Sequence, residues 1–137
     1  MQGRLSEMYE NKIQSFPSQS WKEEFKIASN CGLEIIEWIF DEIHPNPILT
    51  DEGIIEINQL MEKNNISINA ICADYFMTKK LFNESQSGLE KNIEILEKII
   101  TQANKLEISM IEIPLVDSSS LKNDKNKHEI INNIEKI

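Results

Sequence analysis

The sequence predicts an α/β protein on a parallel sheet, and three observations carry that prediction. Helical and strand-like stretches alternate in regular order, and strand starts recur near residues 33, 66 and 108. Each apolar run also ends on aromatic or acidic residues: Trp38-Ile39-Phe40-Asp41, Ala73-Asp74-Tyr75-Phe76 and Pro114-Leu115-Val116-Asp117. Alternation at this spacing is the mark of successive βα units, and right-handed crossovers make their sheet parallel. Ligands bind such proteins at the carboxyl ends of the strands.

The elements follow in order. Trp21, Phe25 and Ala28 share one face of a helix over about Trp21 to Asn30, with Ser20 as its N-cap and Gly32 as its stop. Strand-like residues Leu33 to Phe40 come next. The loop His44-Pro45-Asn46-Pro47 cannot be helical, because each proline pushes the residue before it toward extended geometry. A second helix spans about Asp51 to Lys63, with Ile54, Ile57, Leu60 and Met61 on one side, and Asn64-Asn65 ends it. The strand from Ile66 combines β-branched bulk (Ile66, Ile68, Ile71) with residues small enough for a crowded interior, Ala70, Cys72 and Ala73. The third helix carries the stripe Leu89, Ile93, Leu96, Ile100, Ala103 behind a Ser87 cap. A strand from Ile108 to Val116, a polar loop over 117–127 and a last helix with Ile130, Ile134 and Ile137 in register complete the chain.

At 137 residues the chain makes one domain, 1–137, with a core of ordinary composition: 40% hydrophobic and 27% charged. A net charge of −9 argues against nucleic acid, whose sequence-independent binding needs Lys and Arg on phosphates. A small phosphorylated ligand stays compatible with it, since one or two local cations suffice. No apolar run approaches the roughly 20 residues of a membrane helix, and the start MQGRLSEMYENK has no signal-peptide core. Cys31 and Cys72 show no CxxC spacing, which fits a reduced, cytoplasmic protein. Both ends read as cut: a sheet of three strands and a stub leaves two long apolar edges bare. Half a barrel is the simplest expectation.

Three acids stand out as substrate-binding candidates. Glu37 lies inside the apolar strand Ile35-Ile36-Glu37-Trp38-Ile39, where an unpaired carboxylate is costly to bury. It either points into the barrel mouth or makes a structural ion pair, with Arg4 as one partner. Asp74, beside Tyr75 and Phe76, is placed to face a ligand, whereas Asp117, followed by Ser118-Ser119-Ser120, is better placed to cap a turn. Trp38 has two readings, stacking on substrate or packing beneath the rim. Lys79-Lys80 has two readings, reaching a phosphate or standing as a solvated pair, and the solvated pair is the better one. His44 and His128 have no carboxylate or Cys partner at ligand spacing, so no residue is assigned as a metal ligand.

Six short matches occur in one order: Gln2-Gly3-Arg4-Leu5-Ser6; Phe16-Pro17 with Trp21 and Glu24-Phe25; Glu37-Trp38-Ile39-Phe40-Asp41; Asn46-Pro47; Cys72-Ala73-Asp74-Tyr75-Phe76; and Ile113-Pro114-Leu115-Val116-Asp117. Together they resemble the sugar phosphate isomerase/epimerase branch of the xylose-isomerase-like TIM barrels, including the hexulose- and pentulose-phosphate 3-epimerases. The resemblance implies a partial TIM (β/α)8 barrel, from the tail of strand 1 through helix 4, in a fold of about 250 residues when complete. It places Gln2 and Arg4 at the end of the first strand, adding both to the substrate-binding candidates. It further implies a divalent metal ion (Mn, Mg, Zn or Co) held by two Glu, an Asp and a His on strands 5 to 8, outside this segment. The implied chemistry is metal-assisted proton transfer beside a ketose carbonyl. The catalytic residues would lie beyond residue 137, the segment alone would be inactive, and the full-length protein could be a homo-oligomer. Two other readings stay open. One is a metal-dependent lyase or endonuclease of the same superfamily; the other is a non-catalytic flavodoxin-like domain.

Overall fold

The computed structural model describes residues 5–6 and 14–137. Its helices are α1 (Trp21–Asn30), α2 (Asp51–Asn64), α3 (Gln86–Lys105) and α4 (Asp124–Ile134); its strands are β1 (Ile35–Ile39), β2 (Ser67–Cys72) and β3 (Met110–Glu112). Short 3₁₀ turns cover Pro47–Leu49, Asp74–Met77 and Asp117–Ser119. The strands pair in the order β1-β2-β3, both pairs parallel, with a helix in each connection. This is an α/β arrangement, consistent with a partial (β/α) barrel unit. Among the described residues no helix is long and apolar enough to cross a membrane.

Three helices end alike. Gly32 (φ 75°), Asn65 (φ 53°) and Glu107 (φ 58°) all take the left-handed conformation. Their N–H groups donate to Ser29, Glu62 and Asn104, while Leu33, Ile66 and Ile108 donate to Ala28, Met61 and Ala103. This is the paired-bond C-terminal stop that satisfies the last orphan carbonyls. Glycine takes that conformation freely, and glutamate does so against its Cβ. Glu107→Gly is therefore expected to stabilise the protein by about 0.5–1 kcal/mol. A higher urea midpoint with an unchanged slope would show it; a lower midpoint would refute it.

The core lies between the sheet and its helices. Trp38, Ile71, Phe25, Ile57 and Ile99 are fully buried, and the Trp38 ring packs against Phe16, ahead of α1, and edge-on against Trp21 of α1, at 5.3 and 5.7 Å between ring centroids. That contact fixes the helix-facing side of the sheet. Glu24, in the same buried stripe of α1, has both carboxylate oxygens without a hydrogen-bond partner among the described residues. Asp51, in the first turn of α2, accepts from Lys105 at 2.7 Å and Gln102 at 3.4 Å on α3.

Several boundaries differ from the sequence expectation. The first strand is shorter at both ends than Leu33 to Phe40. The third keeps only Met110–Glu112 of the expected Ile108 to Val116, since Pro114 has no N–H to continue a ladder. Ser85, not Ser87, caps α3 by accepting from Gly88 N–H. Ser20 sits at the N-cap of α1, yet its hydroxyl donates to Ser6 and makes no capping bond. The buried face of α3 runs through Asn92, Leu96, Ile99 and Ala103, which leaves Ile100 41% exposed. The polar Asn92 is tolerated inside because its Nδ2 donates to Lys80 O at 2.8 Å. Ile100 instead borders a groove of about 410 Å³ between α3, β3 and α4, beside the outer edge of β3. α4 stops at Ile134, so Ile137 lies past the helix, and both residues are exposed.

Candidate functional site at the strand ends

The ladder extends past the strands into a rim. Phe40 N–H donates to Cys72 O, Ala73 N–H to Glu112 O, and Tyr75 N–H to Phe40 O, each at 2.9 Å. These bonds hold the turn Asp74–Met77 directly over the carboxyl ends of β1 and β2. The neighbouring turn, Asp117–Ser119, is tied to it by a hydrogen bond from Ser118 Oγ to Met77 O. Phe40, Tyr75 and Phe76 form an aromatic wall, with ring centroids 5.4 and 5.2 Å apart.

Behind that wall, Gln14, Cys72 and Asp74 close a triangle. Gln14 Nε2 donates to Asp74 Oδ1 at 3.1 Å and to Cys72 Sγ at 3.3 Å, and the Cys72 thiol donates to the same Oδ1 at 3.3 Å. Burial holds the Asp74 carboxyl above the usual carboxylate range. The thiol hydrogen bond pulls the other way, and the charges of Asp41, Glu112 and Glu37 add to the rise. Burial, then the Asp74 charge, pushes the Cys72 thiol well up, so it stays a protonated donor and not a nucleophile.

Strand pairing shows what shares this face. Ile36 and Trp38 of β1 align with Ile68 and Ile71 of β2 on the helix side, where Asn69 is the extra residue of a bulge. Glu37 aligns with Ala70, and Ile39 aligns with Cys72 and through it with Glu112. Alternation therefore puts Glu37, Cys72 and Glu112 on the opposite face from Trp38. The charges of Glu37 and Glu112 act on both Cys72 and Asp74. The site is a carboxylate-rich surface below an aromatic rim.

The predicted residues divide accordingly. Glu37 and Asp74 come together, both half-buried. Asp117 is exposed in its turn with φ 48°, and among the described residues its side chain makes no capping bond, against the expected capping role. The turn is secured instead by Ser119, whose hydroxyl bonds to Pro114 O and Val116 O. Gln2 and Arg4 lie outside the described residues. Trp38 takes the packing role: it is fully buried, and its Nε1 donates to Asn46 Oδ1 at 3.0 Å. Asp41 is a structural acid, accepting from Phe16 N–H at 2.8 Å and Ile43 N–H at 3.2 Å. His128 Nδ1 lies 2.7 Å from Asp124 O within α4. Sequence reasoning missed Glu112 and Gln14. Glu112 had a signal, because Met110-Ile111-Glu112-Ile113 repeats the acid within an apolar run of Ile35-Ile36-Glu37-Trp38. Gln14 had none, since it meets Asp74 from 60 residues away.

With this geometry in place, comparison with known proteins finds a likeness to a curated protein. Over 101 residues the chain is 26% identical to the probable L-ribulose-5-phosphate 3-epimerase UlaE of Mycoplasma pneumoniae, a match covering 72% of this chain and 33% of that protein. The likeness is to a sugar-phosphate epimerase. The chain spans about a third of the length of the curated relative that it matches. No family model matches the chain.

Proposed function

We propose that this chain is the N-terminal part of a sugar-phosphate epimerase or isomerase barrel, and that its acidic strand ends contact the sugar. The observation that carries the reading is Asp74, held by Gln14 and Cys72 at the end of β2, on the same face as Glu37 and Glu112. Carboxylates at the carboxyl ends of parallel strands suit the hydroxyls of a polyol, which offers donors to acid oxygens. The likeness to a sugar-phosphate epimerase supports the same substrate class.

A divalent ion belongs to this reading through the family resemblance. Among the described residues no group of three or more His, Cys, Asp or Glu could hold one. Gln14 and Cys72 orient the Asp74 carboxyl, which accepts from a sugar hydroxyl. Glu37 carries an acceptor deeper on the same face, the exposed Glu112 carries one level with Cys72, and Phe40 with Tyr75 limits water at the rim. In this reading the protein works in the cytoplasm on a small sugar phosphate.

The test is solvent deuterium exchange into a pentulose 5-phosphate, followed by NMR, with a protein that carries this chain in full length. Exchange is expected at the carbon beside the carbonyl. Asp74→Asn should lower kcat/KM by about tenfold or more, the scale of a lost charged hydrogen bond. No exchange with either pentulose or hexulose phosphates would overturn the proposal.

A further inference from the structure

The acidic face raises a question of orientation. A phosphate dianion laid against Glu37, Asp74 and Glu112 would meet three like charges, two of them on half-buried residues. A sugar phosphate entering this site must therefore keep its phosphate away from the sheet, at a point on the rim that offers a cation. Lys79 is such a cation. Thr78 N–H and Lys79 N–H both donate to Tyr75 O, at 3.4 and 3.0 Å, so the chain turns back and brings Lys79 beside the Tyr75 side chain. The Tyr75 ring packs against two buried rings, Phe40 and Phe76. Its hydroxyl lies within the field of both Lys79 and Glu42.

We infer that Lys79 and the Tyr75 hydroxyl form a phosphate subsite on this rim, with the sugar hydroxyls turned inward to Asp74. This rests on the sugar-phosphate reading above. Glu42 is the stand-in anion: its Oε2 lies 3.2 Å from Lys79 Nζ, with the two side chains 39% and 50% exposed. An ion pair that open to solvent is weak and easily exchanged. A dianion offering several acceptor oxygens would displace it and also take the Tyr75 hydroxyl. Lys80, by contrast, pairs with Glu84 four residues along the chain, at 3.7 Å, and is left out of the subsite.

The experiment is a nuclear magnetic resonance titration of the amide signals of the full chain with three probes: a pentulose 5-phosphate, the pentulose itself and inorganic phosphate. Lys79→Gln is expected to weaken both phosphorylated probes by about three- to tenfold while the pentulose binds as before. Glu42→Gln, which removes the competing anion, should tighten the same two probes about two- to threefold. Both substitutions are on exposed side chains, so folding is retained. Unchanged phosphate affinity in Lys79→Gln, weaker affinity in Glu42→Gln, or no binding of either phosphorylated probe would overturn the subsite. If the pentulose binds but Lys79 has no effect, the subsite fails and the sugar reading stands. If inorganic phosphate binds through Lys79 and neither sugar binds, the subsite stands and the sugar reading fails.

Discussion

Replacing Trp38 with alanine is expected to lower the free energy of unfolding by about 3–5 kcal/mol. Trp38 is the largest of the fully buried side chains, and it joins three parts of the chain. Its ring meets Phe16 ahead of α1 and Trp21 within α1, while its indole N–H reaches Asn46. Asn46 in turn donates to Ile39 O at 2.9 Å and accepts from Ile48 N–H at 3.2 Å, which fixes the turn leading into α2. Alanine would leave a cavity and also release one acceptor of that turn. A domain of this size is worth about 5–15 kcal/mol in all, so the variant should sit close to unfolding. Trp38→Phe keeps a ring but loses the donor, and should cost less, about 1–2 kcal/mol. Urea titration followed by circular dichroism measures both; a loss below about 1 kcal/mol for alanine would show that Trp38 is not the keystone.

Gly53→Ala should destabilise the protein by about 2–3 kcal/mol, against the usual preference of helices for alanine. Gly53 lies in the first turn of α2, where its N–H donates to the capping Thr50 Oγ1 at 3.0 Å. A Cβ built there would stand 2.0 Å from Pro47 O, 2.6 Å from Pro47 C and 2.8 Å from Thr50 Oγ1. Two of those atoms are backbone, so a rotamer change cannot relieve the clash. The turn Pro47–Leu49 would have to move, and with it the fully buried Ile48. Thermal unfolding gives the sign directly. A rise in midpoint would mean that helix propensity outweighs the close approach.

Much of this architecture was legible because it obeys simple periods. Trp21, Phe25 and Ala28 declared α1, and all three are buried. The order of helices and strands followed from the same logic. What escaped depended on partners far along the chain. Ile100 looked as apolar as Ile99, and only the packing of α3 decides which is inside. Ser85 and Ser87 are equally good caps by type, and Gly88 selects the first. At the site, Asp74 was visible as an acid ending an apolar run. Its hydrogen bond to Gln14 was not, because no local pattern links residues 60 positions apart. Glu112 was readable and overlooked: an acid inside an apolar strand is as unusual there as at Glu37.

The left-handed corners after α1, α2 and α3 bear on how the chain assembles. Each sets the angle between a helix and the strand that follows using bonds spanning only a few residues. Such short-range closures cost little chain entropy, and topologies rich in them fold quickly. Every strand can thus acquire its direction before its neighbour in the sheet arrives. Nascent chain leaving a ribosome would gain ordered helix–strand hooks one after another, with the sheet zipping up behind them.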